Sequence, residues 1–160
     1  MTLPMDFRMA STRARIGFVF GRIGITPEAC STWFLPRIVG MGQALEWFYR
    51  ADLIEPAEAL DKGLLRSVHE PETLVEDACT FARSLVKDRS PVSIALMRQM
   101  TMRNSAQPHP RVAHDVESLA MFYSSMADGK EGVAAFLEKR PAAFRAKASE
   151  MPPFWPWQDS

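Results

Sequence analysis

The 160 residues are 47% hydrophobic, and 19 Lys and Arg are balanced by 19 Asp and Glu, for a formal charge of zero. That composition does not suggest a disordered chain and allows one domain with a real core. The charge balance provides no global field to draw in nucleic acid or an anionic membrane, so any anion site must be local.

Cys30 and Cys79 stand far apart with no CxxC pairing, and His69, His109 and His114 fall in no metal-ligand spacing, so neither a disulfide framework nor a metal site is expected. The first residues show no basic segment followed by a long apolar run, and no stretch of about 18 uncharged apolar residues occurs. A cytoplasmic protein with neither a membrane nor a nucleic-acid partner is expected.

In chain order, Met5, Phe7 and Met9 alternate with Asp6 and Arg8, which predicts an early strand. A second β-like run is Ile16 to Phe20, and a third is Leu64 to Val68. Thr26-Pro27 reads as an N-cap followed by an N1 proline, opening a helix from Glu28 to Leu35 that Pro36 stops. Further helices are predicted over Gly42 to Tyr49 and over Pro56 to Lys62, the latter closed by Gly63. Apolar residues at helical spacing continue from Pro71 to Lys87, and Ser90-Pro91 restarts a helix. Pro108 and Pro110 break it. A stripe through Val112, Val116, Leu119, Phe122 and Met126 follows, then a last helix with Val133, Phe136 and Leu137 on one face. The tail from Met151 to Trp157 sets three aromatics among three prolines, and reads either as a strap across its own domain or as a contact to a neighbouring subunit.

Two separated blocks carry a resemblance. The run from Ala14 to Val68, with its A-x-x-x-G-L-L unit at Ala59 to Leu65, is similar to the crotonase superfamily of enoyl-CoA hydratases and isomerases. The run from Asp128 to Phe144 resembles that family's EG-x-x-AF-x-EKR ending, matched by Glu131, Gly132, Ala135, Phe136, Glu138, Lys139 and Arg140. The resemblance implies an α/β fold: a truncated crotonase-like ββα superhelix whose last short strands lead into a mostly α-helical C-terminal region. Residues 1–70 would be the remnant of the spiral core with the acyl-pocket loop. Residues 71–160 would form a helical region for oligomerisation and CoA contact, continuous with the first as one domain. The expected partners are an acyl-CoA substrate and further copies of the chain, as a trimer or hexamer. No cofactor beyond the coenzyme A thioester is implied.

In such enzymes a pair of backbone N–H groups holds the thioester oxygen as it becomes an enolate, while carboxylates move protons. By resemblance, those donors lie upstream of Met1. The second acidic position of the two-glutamate hydratases aligns with Phe20, which cannot exchange a proton. Glu28, in the sequence TPEACST, resembles the single catalytic glutamate of peroxisomal-type enoyl-CoA isomerases. Taken without the resemblance, it reads as a first-turn acid complementing a helix dipole. The resemblance also places Phe122 against the adenine and Lys139 near the nucleotide phosphates. By residue pattern alone, Phe122 is a core position and Lys139 a dipole partner. Lys130, Lys139, Arg140, Arg145 and Lys147 give this segment a local basic bias. The function expected is enoyl-CoA double-bond isomerisation with Glu28 as proton shuttle. The alternative is a non-catalytic fragment or pseudoenzyme that keeps an oligomerisation surface and part of a CoA site.

Overall fold

The computed structural model describes residues 2–151, so the aromatic and proline tail after Met151 lies outside the described residues. The chain divides into two compact units, Met1–Phe81 and Ala82–Ser160.

The first unit holds two small sheets. Strand β1 (Met9–Ser11) pairs in parallel with β4 (Ser67–His69), Met9 opposite Ser67, while β2 (Ile16–Gly17) pairs antiparallel with β3 (Leu53–Ile54). A parallel pair requires a long crossover, and the segment between β1 and β4 carries three helices: α1 (Ser31–Val39), α2 (Met41–Arg50) and α3 (Pro56–Asp61). The strands differ from the sequence expectation. The first begins only at Met9, because residues before it turn around the Arg8 guanidinium, which donates to the carbonyls of Leu3, Met5 and Leu64. The second ends at Gly17, and a 3-10 turn over Val19–Ile23 replaces its continuation.

Helix α2 buries Ala44 and Trp47, three residues apart, while Tyr49 is exposed. Trp47 lies against Phe18, with ring centroids 6.2 Å apart, and its indole N–H donates to Glu58 at 2.8 Å. Leu35 on α1 is fully buried in the same cluster, which Ile54, Ala59, Leu64 and Leu65 complete. Pro36 does not stop α1. It removes one backbone donor, but the helix continues to Val39 and ends at Gly40, whose φ of 83° lies in the left-handed region.

Helix α4 (Leu74–Val86) crosses the division between the units. The second unit is built on α5 (Pro91–Asn104), α6 (Pro110–Met126) and α7 (Asp128–Glu138). Ser90 caps α5 by accepting the Ser93 N–H at 3.2 Å, and Pro110 opens α6 at its first position, where its missing N–H costs nothing. Val92 and Leu96 of α5 meet Val116 and Ala120 of α6, each pair four residues apart on its helix. The stripe of the last helix is not core: Val133, Phe136 and Leu137 are exposed, and Ala135 is the buried apolar residue of α7.

Asp128 ties this unit together. It is buried, and its Oδ1 accepts the N–H groups of Arg145 and Ala146, both at 3.1 Å. Burial works against its charged form, but the Ser90 hydroxyl and the two N–H groups outweigh that and hold it below the usual carboxylate range. Asp128→Ala leaves two backbone donors without their acceptor and is expected to destabilise the second unit by roughly 2 kcal/mol. Asp128→Asn keeps an acceptor oxygen and should lose less. Urea titration of both variants checks this, and equal midpoints would remove the clamp from the account.

Candidate active site

The first unit encloses a cavity of about 550 Å³ between its N-terminal segment, β2 and the turn that leads into α1. Its wall is mostly hydrocarbon, with Phe7, Ile16, Phe18, Phe20, Leu64 and Leu65 contributing. Glu28 also lines it, and it is the one carboxylate to do so among the described residues.

Glu28 is not at the second position of a helix, as the Thr26-Pro27 pattern predicts. Helix α1 begins at Ser31, and Glu28 sits in the turn ahead of it. Ala29 and Cys30 both adopt left-handed backbone, with φ of 51° and 57°. Non-glycine residues pay for that conformation, and two in succession at a cavity wall are the sort of strain that the surroundings must hold in place. Ser31 does the holding. It is buried, and both its N–H, at 3.0 Å, and its hydroxyl, at 2.6 Å, donate to the Glu28 carbonyl. The backbone is thus fixed while the Glu28 side chain stays exposed, its carboxylate without an ion-pair or hydrogen-bond partner among the described residues. Phe20, which by resemblance takes the place of a second acid, presents only a ring to the cavity.

Phe122 and Lys139 belong to the second unit, and neither lines this cavity. Phe122 is not a core residue of α6. It is 70% exposed, so the apolar stripe of that helix is buried only along Val116 and Ala120. Lys139 is exposed and caps α7 in left-handed backbone with φ of 54°. The basic bias around it is partly neutralised. Arg140 donates to both oxygens of Glu131, at 2.6 and 3.0 Å, and to Glu138 at 2.6 Å, while Lys147 pairs with Glu150 at 2.8 Å. Arg140 is therefore committed to holding the turn after α7 and is not a free phosphate ligand.

The Arg140 guanidinium and the Ala143 N–H hold Glu131 down at a pKa of about 2, against an ordinary 4.5. A lowered folded-state pKa gives stability that is present above about 4.5 and is lost as pH falls toward 2. Exchange of the Ala143 amide, which donates to Glu131 at 2.7 Å, should therefore gain in relative rate over that range, after correction for intrinsic exchange. The Glu131→Gln variant should show no such step.

Among the described residues no group of three or more His, Cys, Asp or Glu could hold a metal ion, and no helix is long and apolar enough to cross a membrane. Pattern reading found Glu28 but missed Ser31 and the arginines of the cavity wall. The role of Ser31 depends on a turn whose left-handed residues, Ala29 and Cys30, are not glycines and so leave no compositional trace.

The sequence profile of the enoyl-CoA hydratase/isomerase family matches residues 1–147. The chain belongs to that family. Among curated members of the enoyl-CoA hydratase/isomerase family, the enoyl-CoA hydratase AFT3-1 of Alternaria alternata is 37% identical over 148 residues, covering 91% of this chain and 49% of the relative. The crotonyl-CoA hydratase of Syntrophomonas wolfei is 32% identical, covering 92% and 56%. The 1,2-epoxyphenylacetyl-CoA isomerase of Escherichia coli is 29% identical, again covering 92% and 56%. The chain thus spans about half the length of these relatives. Among solved structures, an enoyl-CoA hydratase subunit from Geobacillus kaustophilus superposes with a TM-score of 0.81 at 30% identity, covering 91% of this chain and 56% of that one. The enoyl-CoA hydratase of Bacillus anthracis gives 0.80 at 30%, covering 89% and 55%. The small strands and helices described above are thus those of the crotonase fold.

Proposed function

We propose that the protein acts on enoyl-CoA thioesters and shifts their double bond, with Glu28 moving the proton. The observation that carries this reading is that a single carboxylate, on a fixed backbone, faces an otherwise largely apolar cavity. One carboxylate suffices for the reaction. It removes a proton from C2 of a 3-enoyl thioester, the electrons delocalise onto the thioester oxygen as a dienolate, and the same group returns the proton at C4. Proton and charge balance, and the chemistry calls for no cofactor beyond the thioester.

Phe122, exposed on α6, is the side chain we assign to the adenine, and Lys139 is assigned to the nucleotide phosphates. The exposed apolar residues of α6 and α7 support self-association of the chain.

Hydration of the double bond is the second reading, favoured by the names of the hydratase relatives. It needs a group to activate water as well as one to protonate carbon, and Phe20 offers neither. Incubation with 3-enoyl-CoA and with 2-enoyl-CoA, analysed by chromatography, separates the two. The chain is assayed as written and with any in-frame upstream sequence restored. Accumulation of 2-enoyl-CoA without 3-hydroxyacyl-CoA supports isomerisation, and the reverse outcome rejects it.

A further inference from the structure

Among the described residues, three charged side chains line the cavity of the first unit: Glu28, Arg8 and Arg15. Arg8 is spent on three backbone carbonyls. Arg15 is exposed and has no ion-pair, hydrogen-bond or ring partner among the described residues. Every other arginine of this unit is engaged. Arg13 pairs with Glu72 at 3.1 Å, Arg22 with Asp52 at 3.1 Å and Arg50 with Glu46 at 3.0 Å. Arg37 lies over Trp33 at 3.8 Å, and Arg66 over Phe81 at 4.0 Å. The arginine without a protein partner is the one that, with Glu28, lines the cavity.

We propose that Arg15 binds a carboxylate carried by the acyl group, so that the substrate class is a carboxyacyl thioester. This rests on the reading of the cavity as the acyl site. A guanidinium presents a planar fork that matches a carboxylate with two parallel N–H donations. Around Arg15 the wall is hydrocarbon from Ile16, Phe18 and Phe20, so the complementary ligand is an apolar chain with one negative group. A pyrophosphate carries more charge than one arginine answers, and this cavity wall holds no second free cation among the described residues. Arg13, Arg15 and Arg22 stand close together in the sequence, and their different engagements separate them.

The test is calorimetric titration of the 160-residue chain with glutaryl-CoA and with pentanoyl-CoA, which share five acyl carbons and differ by the terminal carboxylate. A preference of about tenfold for glutaryl-CoA is expected, the size of effect one charge-assisted contact commonly gives. Arg15→Gln should bring the ratio of the two affinities to about one, and Arg15→Lys should keep part of it. No preference in the unsubstituted chain overturns the proposal, as does an Arg15→Gln variant that weakens both ligands equally, since that places Arg15 on the CoA phosphates or in the fold. If neither thioester binds, the reading of the cavity as an acyl site fails, and this inference fails with it.

Discussion

Glu28→Gln is expected to lower the turnover number for double-bond migration by about a thousandfold, within the range a positioned acid/base group supplies, while KM changes little. Glutamine keeps the size and polarity of the side chain, so the apolar cavity and the Ser31 hydrogen bonds to the Glu28 carbonyl remain. What is lost is the ability to hold a proton taken from one carbon and return it to another. Glu28→Asp tests the geometry separately. It retains the carboxylate but withdraws it by one methylene, so a smaller loss of activity is expected. The comparison is read from initial rates at saturating 3-enoyl-CoA and from KM. A Glu28→Gln enzyme that turns over at an undiminished rate would sink the assignment whatever the family. A variant that loses binding and turnover together would move Glu28 from chemistry to substrate holding.

Leu35→Ala should cost about 3 kcal/mol of stability, the middle of the range for removing a fully buried leucine. Leu35 has no exposed surface. Its neighbours in the cluster are poor at closing the resulting void. Ala44 and Ala59 have no side chain to extend, and Trp47 is fixed by its bond to Glu58 and its contact with Phe18. The cavity term therefore adds to the transfer term. Leu60→Ala on α3 is the matched control. Leu60 is 41% exposed and should cost well under half as much. Urea denaturation followed by circular dichroism gives both values, and equal midpoints for the two variants would mean that this cluster is not the core of the first unit. The substitution also bears on the site, because Leu35 lies one turn beyond Ser31 on α1, and loosening it should relax the turn that fixes Glu28.

Where the sequence was legible, a local chemical rule was sufficient. Ser90-Pro91 marked the start of α5, because the serine hydroxyl accepts one orphan N–H of the first turn and the N1 proline has no N–H to leave orphaned, in any context. Gly63 marked the end of α3, because a φ of 76° suits glycine. The family could be read from the blocks at Ala14 to Val68 and Asp128 to Phe144, and both fall within the matched span. Thr26-Pro27 misled for the same kind of reason. The rule gives a helix start, but the left-handed Ala29 and Cys30 postpone α1 to Ser31, and the hydrogen bonds of Ser31 that hold this turn cannot be seen in residue spacing. Strand β3 has only two residues, too few for any alternation to show. Helical spacing grouped Val133, Phe136 and Leu137 correctly on one face, but periodicity says which residues share a face and not what covers it.

The packing of Trp47 also has an optical consequence. Trp47 is 2% exposed and its ring lies against Phe18, whereas Trp33 on α1 is 37% exposed with a guanidinium over its ring. Two indoles in the same unit thus sit in opposite dielectric surroundings, one shielded from water and one open to it. Quencher access and emission wavelength should distinguish them, so the first unit carries an intrinsic fluorophore that reports its core and another that reports its surface.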